Sequence, residues 1–297
     1  MPGVIGIFGP TASGKSAVAE ALGRLMPAAT FAADSAQLYR GLPILTNQSP
    51  AALVGVWELD REASVAEYQR LAHEAIDEAL AAGSTPIVVG GTGLYFRAAL
   101  AELDVPPPPE PGARERWGWL YDERGAEAAH ALLEERDPAA AAAVHPNDRR
   151  RVVRGLELAE AGHSLRGDRL WAGATRHQTL VVGLDVPVAE LDRRIAERTR
   201  AMFDAGVVEE VRQALDRPLS STARKIMGLR EVAELPPPEA EVELAARTRR
   251  LAAYQRKWMR RIPGLVTVRA DRSPEEVADE VLALARGGQR VPAGREG

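Results

Sequence analysis

The chain has 297 residues, of which 45% are hydrophobic and 27% charged, with a formal net charge of −4. It is long enough to bury a full core and is not a uniformly basic nucleic-acid binder. Cysteine is absent, which excludes disulfides, thiolate zinc sites and a cysteine nucleophile and leaves the cytoplasm as the expected compartment. No basic-then-apolar leader precedes the first strand and no apolar run reaches bilayer length, so neither secretion nor a membrane partner is expected.

The first predicted strand, Val4-Ile5-Gly6-Ile7-Phe8, runs into Gly9-Pro10-Thr11-Ala12-Ser13-Gly14-Lys15-Ser16. This is the spacing of a P-loop: glycines let the backbone curl so that N–H groups converge on an anion, Lys15 adds a mobile positive charge, and Ser16 can place its hydroxyl on Mg²⁺. A helix over residues 14–26 follows, with Ala17, Val18, Ala21, Leu22 and Leu25 on one face. Its positive N-terminal end adds to the attraction for phosphate. A Gly/Ser turn without chemistry is the alternative, and the position between a buried strand and a helix argues against it. The loop does not say which phosphate ester binds, because kinases, NTPases and some transferases share it.

A second short strand, Thr30 to Ala33, ends in Asp34-Ser35-Ala36-Gln37-Leu38-Tyr39. In open parallel sheets that edge is where ligands sit. Asp34 taken alone reads as a turn or cap residue, while Ser35, Gln37 and Tyr39 add groups suited to the polar edge of a second substrate. A short strand over Leu53 to Leu59 is expected, then a helix from a Ser64–Glu67 capping box to about Ala82. Pro86 to Val89 reads as a third parallel strand closing in Gly90-Gly91-Thr92-Gly93. The Thr92 hydroxyl could donate to a phosphate or simply cap the helix over 94–103, and the local sequence leaves both open.

Pro106-Pro107-Pro108-Pro109 is a stiff linker and the clearest boundary. An Ala-rich helical insert follows, with helices predicted over 114–121, 126–135, 138–144 and 146–161. It contains His145-Pro146-Asn147-Asp148-Arg149-Arg150-Arg151-Val152-Val153-Arg154. The arginines form either a solvated helix face or a phosphate-tracking surface. His145 has no ligand-spaced partner and reads as structural. Leu180 to Asp185 alternates as a strand of the first sheet. Gly206 then interrupts a long helical stretch, and Pro236-Pro237-Pro238 marks a stop. From Glu239 to Arg261 a basic helix carries Arg247, Arg249, Arg250, Arg256, Lys257, Arg260 and Arg261 with Tyr254 and Trp258. Phosphate contact with base stacking is one reading; packing through Leu251, Tyr254 and Trp258 beneath a charged outer face is the simpler one. Val266 to Val268 is a last strand, and Ser273-Pro274-Glu275-Glu276 caps a helix to Arg286. The expected class is α/β, a P-loop-type parallel sheet flanked by helices with a mainly helical insertion domain. Its parts are a core over 1–105, the insert over 106–178, the returning core with the basic helix over 179–286, and a flexible tail over 287–297.

Several of these stretches together resemble the tRNA dimethylallyltransferase, or tRNA isopentenyltransferase, family. They are the P-loop, Asp34 to Gly41, Val89 to Tyr95, His145 to Arg151, Gly183-Leu184-Asp185, Ala205 to Val211 and the Arg247 to Arg261 helix. They follow in the family's order over most of residues 3–262. The resemblance implies transfer of a dimethylallyl group from dimethylallyl diphosphate to N6 of adenosine 37, so the P-loop would hold diphosphate. Asp34 would be the general base, since N6 gains positive charge as it attacks. Lys15, the loop amides, Thr92, Arg230 and Mg²⁺ held through Ser16 would absorb charge on the leaving diphosphate. Ser35 and Gln37 would read the adenine, and Asp34, Ala36 and Thr92 would also belong to the tRNA-binding set. Arg114, Arg150, Arg151, Arg154, Arg247, Arg250 and Arg256 would hold the anticodon stem-loop, and a monomer is expected. The stretches Pro43 to Ser49 and Leu53 to Trp57 depart from the family pattern. The rival readings are a P-loop kinase using ATP on a small molecule and an RNA-binding protein with a relic P-loop.

Overall fold

A computed structural model describes residues 2–103, 105, 110, 112–165 and 174–288. Its elements in chain order are β1 (Val4–Phe8), α1 (Lys15–Leu25), β2 (Ala28–Ala32), α2 (Val65–Ala81), β3 (Thr85–Gly90) and α3 (Gly93–Leu100). Then come α4 (Ala113–Arg136), α5 (Pro138–Ala142), α6 (Arg149–Glu160), β4 (Thr179–Asp185), α7 (Val188–Asp204) and α8 (Val207–Leu215). The chain continues through α9 (Leu229–Glu234), α10 (Pro237–Met259), β5 (Val266–Arg269) and α11 (Pro274–Arg286). The proline linker at 106–109 and most of the 287–297 tail lie outside the described residues.

The strands form one parallel sheet in the order β2-β3-β1-β4-β5. All five residues of β1 are buried, as a central strand covered on both faces requires. Strand alternation sends Ile5 and Ile7 into a cluster with Val18 and Leu22 of α1 and Val277 and Val281 of α11. On the other face Phe96 of α3 lies over Gly6 and meets Phe8 edge-on at 5.2 Å. Each such side chain contributes about 1.5–3 kcal/mol on burial.

By internal packing the chain divides into two units, Met1–Leu103 with Gly173–Gly297, and Asp104–Ala172. In the second, α4 breaks at Gly125, where φ is 83° and ψ 167°, which separates the two helices read from the sequence. Trp117, Leu133, Val152 and Leu156 form its core. Within it α6 begins at Arg149, capped by Asp148, whose carboxylate accepts from Arg151 N–H; the three residues before it, expected to be helical, are a turn in which His145 Nδ1 accepts from Asn147 N–H at 3.1 Å.

Some expectations are corrected. No strand forms over Leu53 to Leu59: Leu53 and Gly55 have φ of 68° and 62°, which breaks extended pairing, and only Ala52 and Trp57 make bridges, to Phe31 and Tyr39. The stop expected at Pro236-Pro237-Pro238 is present, α9 ending at Glu234, but Pro237 and Pro238 also open α10, ahead of the expected Glu239, because proline fits the first helical turn, where the N–H is unused. The buried stripe of α10 is Leu244, Ala245, Thr248, Ala252, Gln255 and Met259, not Leu251, Tyr254 and Trp258; Tyr254 is 57% exposed. Ser64 caps α2 by accepting from Glu67 N–H at 3.4 Å, and Ser273 and Glu276 form a full capping box on α11.

Candidate active site

Parallel register brings three loops to one edge of the sheet, with Phe8 opposite Gly90 and Ala32 opposite Val89. The P-loop leaves β1, Asp34 follows β2 and Thr92 follows β3. Ala33 N–H donates to the Val89 carbonyl at 2.8 Å, so the chain entering Asp34 still runs alongside the end of β3.

The P-loop closes on itself through Pro10, whose carbonyl accepts from Ser13 N–H at 3.2 Å and from Lys15 Nζ at 2.7 Å. Gly14 begins α1 with φ of 90°, a left-handed conformation that glycine adopts freely. Ala12 takes φ of 64° with a Cβ in place, at a cost of about 1–2 kcal/mol. Residue 11 is held from two sides. Thr11 N–H donates to Gln255 Oε1 at 2.7 Å, and Thr11 Oγ1 accepts from Arg198 Nη2 at 2.8 Å. Ser13 Oγ and Arg198 Nε are buried without hydrogen-bond partners among the described residues, a state that an anion supplying acceptors would relieve.

Lys15 is half-buried, and burial pushes its pKa down to about 7; the Asp34 charge opposes this and Arg198 adds to it. Burial likewise lowers Arg198, again against Asp34. One carboxylate and two cations therefore share a single electrostatic neighbourhood at the loop. Asp34 Oδ1 accepts from Ala36 N–H at 3.0 Å, so the turn role read from the sequence is real, and Oδ2 has no hydrogen-bond partner among the described residues. Tyr68 donates to the Ala32 carbonyl at 2.9 Å and packs on Tyr95 at 4.9 Å. Burial raises both phenols, Tyr95 to about 12, with the Asp34 charge contributing, so this wall is neutral. Thr92 precedes α3 without a side-chain cap bond, which leaves its hydroxyl uncommitted to the helix. Ser16 is exposed at the start of α1.

Other expected residues lie differently. Arg230 is 76% exposed and paired with Glu234 at 2.8 Å, its charge acting on Glu234 and Glu231. It is not among the groups that act on Lys15; the arginine at the loop is Arg198. Arg198 was missed because it stands 187 residues from Thr11. The available signal was its place on the Leu191, Ile195, Met202 face of α7, where a charge is out of pattern. Gln37 Nε2 donates to the carbonyls of Thr46 and Asn47 at 3.2 and 3.0 Å, so its amide nitrogen is spent on the following loop, while its Oε1 has no hydrogen-bond partner among the described residues. Ser35 is half-buried. In the helical insert, Arg114 and Arg154 pair at 2.8 and 3.0 Å with Glu157, whose side chain is fully buried, so they hold the insert together. Arg150 is exposed and Arg151 half-buried, neither with an ion-pair partner among the described residues. On α10, Arg247 pairs with the buried Glu231, Arg250 with Glu243 at 2.6 Å and Arg256 with Asp185 at 3.2 Å. The cations of this helix and its end without an ion pair among the described residues are Lys257, Arg260 and Arg261; Arg261 stacks over Trp258 at 5.8 Å, beside the Tyr254 ring.

A family model described as IPP transferase matches residues 37–262. A tRNA dimethylallyltransferase of Salinispora tropica is 38% identical over 95% of this chain and 92% of its own length. One of Thermobifida fusca is 41% identical over 89% and 88%. The crystal structure of the full-length tRNA isopentenylpyrophosphate transferase of Bacillus halodurans is similar with a TM-score of 0.68, at 27% identity over 96% of this chain and 95% of that one.

Proposed function

This chain belongs to the IPP transferase family of tRNA dimethylallyltransferases, and from that premise we propose that it transfers a dimethylallyl group from dimethylallyl diphosphate to N6 of adenosine 37 in tRNA. The observation that carries the reading is the meeting of Lys15, Arg198 and Asp34 around the P-loop: two cations for a leaving anion and one carboxylate for a proton. In the step, N6 forms a bond to the allylic carbon as the carbon–oxygen bond to diphosphate breaks. Asp34 accepts the N6 proton through its uncommitted oxygen. Lys15, Arg198, the loop amides and the Thr92 hydroxyl take up the charge released on the diphosphate, where preorganised donors act most strongly. Leaving its stack costs the target base a few kcal/mol, offset by contacts to the surrounding loop. Arg150 and Arg151 on the insert, and Lys257, Arg260 and Arg261 with Tyr254 on the core, are the groups best suited to phosphates and bases.

Mg²⁺ fits this reading. The exposed Ser16 hydroxyl stands at the loop, and no cluster of three or more His, Cys, Asp or Glu able to hold a metal exists among the described residues. Such a donor set suits an ion bound chiefly by phosphate oxygens and water. When bound, the ion would neutralise diphosphate charge. All the groups assigned to the cradle come from one chain, so a monomer suffices for the chemistry proposed. No helix among the described residues is long and apolar enough to cross a membrane, and the substrate assigned here is met in the cytoplasm.

The test is incubation with labelled dimethylallyl diphosphate, Mg²⁺ and unmodified tRNA, with labelled ATP and tRNA in a parallel tube. Label in tRNA from the prenyl donor alone is the expected result. Phosphoryl transfer or hydrolysis from ATP with no prenylation would replace this reading by the kinase one.

A further inference from the structure

The P-loop is braced by a side chain from the far end of the chain. Gln255 is 4% exposed and lies on the buried stripe of α10 between Ala252 and Met259, where a purely structural helix would carry an apolar residue. Its carbonyl oxygen accepts the Thr11 N–H at 2.7 Å, which commits that amide to the helix. The amide nitrogen lies at the other loop: a Cβ at Gly91 would stand 2.4 Å from Gln255 Nε2 and 2.8 Å from the Gly9 carbonyl. One turn further on, the Trp258 ring lies over Gly93. Gln255 is thus wedged between the turn that carries Lys15 and the turn that carries Thr92.

The residue after Thr11 is the strained one, with φ of 64° at Ala12. Strain of this kind persists only where neighbours over-determine it. Ala12 packs against the core cluster of the sheet, and Arg198 on the Thr11 hydroxyl and Gln255 on the Thr11 amide hold the residue before it from outside the loop. Arg198 carries charge for the ligand as well, whereas Gln255 is neutral and held back by the Thr11 backbone.

We propose that Gln255 is a positioning residue: by holding the Thr11 amide and filling the space beside Gly91 it keeps the P-loop in its anion-receiving curl before any ligand arrives. The inference rests on the reading of the loop as a diphosphate holder. Preorganisation of this sort is read in affinity for the anion and not in affinity for RNA.

The experiment uses the full-length protein and the near-isosteric Gln255→Met, which keeps the volume and removes the acceptor. Inorganic pyrophosphate binding is measured by calorimetry, anticodon stem-loop binding by fluorescence anisotropy, and amide exchange at Thr11 by NMR. The expected result is pyrophosphate affinity down about tenfold, the KM for dimethylallyl diphosphate raised in step, stem-loop affinity within twofold of wild type, and Thr11 amide exchange accelerated. Unchanged pyrophosphate affinity, or equal losses for both ligands, would overturn it. Should Gln255→Met fail to fold, the wild-type protein still decides: rapid Thr11 exchange without ligand sinks the proposal and slow exchange supports it. Wild type that binds pyrophosphate but prenylates nothing would count against the proposed function and leave the role of Gln255 standing.

Discussion

Asp34 and Lys15 act on one another across the loop, and each makes a distinct prediction. Replacing Asp34 by alanine is expected to leave tRNA binding nearly intact while transfer falls by about 10²-fold or more, the scale for a lost general base; equal turnover would remove Asp34 from the mechanism. Lys15 titrates near 10.5 when unfolded and near 7 when folded. Between those values the unfolded chain binds more protons, so this group's contribution to stability improves as pH rises from about 7 to 10.5, and below 7 its burial penalty is present in full. Lys15→Met should flatten that slope in urea titrations run across the range. A bound diphosphate returns Lys15 toward its charged form, so binding at pH 8 should take up a proton, seen as a dependence of the calorimetric enthalpy on the buffer's ionisation heat. Arg198 and Arg230 divide just as clearly. We expect Arg198→Ala to cost about 10²–10³ in turnover, the loss typical of an oxyanion-stabilising donor, and Arg230→Ala to stay within a few-fold of wild type. A reversal of that order in steady-state assays would return Arg230 to the site.

Among the elements, the helical insert shows how a charge run misleads. Four arginines within six positions advertise nucleic acid, yet Arg149 pairs with Asp122 at 2.6 Å and Arg154 with Glu157, so this element spends half of them on itself. Removing both partners of the buried Glu157, as in Arg114→Met with Arg154→Met, should destabilise the insert by about 3–5 kcal/mol. Urea unfolding followed by the insert's tryptophans would measure it, and a loss below about 1 kcal/mol would mean that Glu157 finds water or another partner. Helix α10 misled in the opposite direction. Its aromatics looked like core, but the buried stripe carries Thr248 and Gln255: Thr248 Oγ1 donates to the Leu244 carbonyl at 2.7 Å and Gln255 accepts from Thr11, so both polar groups are satisfied inside.

At the scale of the whole molecule, a net charge of −4 coexists with local cationic groups, and salt should separate their roles. Log affinity for the stem-loop is expected to fall with log salt, and each phosphate-contacting cation removed among Arg150, Arg151, Lys257, Arg260 and Arg261 should reduce that slope by about 0.7. Removing Arg250, already paired with Glu243, should change it less; salt-independent binding would reduce all of them to solvated surface. The amino-acid sequence by itself determined the glycine-rich turn between the first strand and helix, the parallel strands of the sheet, the break at Gly125, the caps at Ser64 and Ser273 and the family, because each is written in residues adjacent in the chain and governed by backbone geometry. Only the tertiary structure decided that Arg198 and not Arg230 acts on Lys15, that Gln255 holds Thr11 from 244 residues away, and which arginines have no ion pair among the described residues. Those outcomes depend on which side chains the packed sheet brings within about 3 Å of one another, the distance at which a hydrogen bond forms, and spacing along the chain does not encode that proximity.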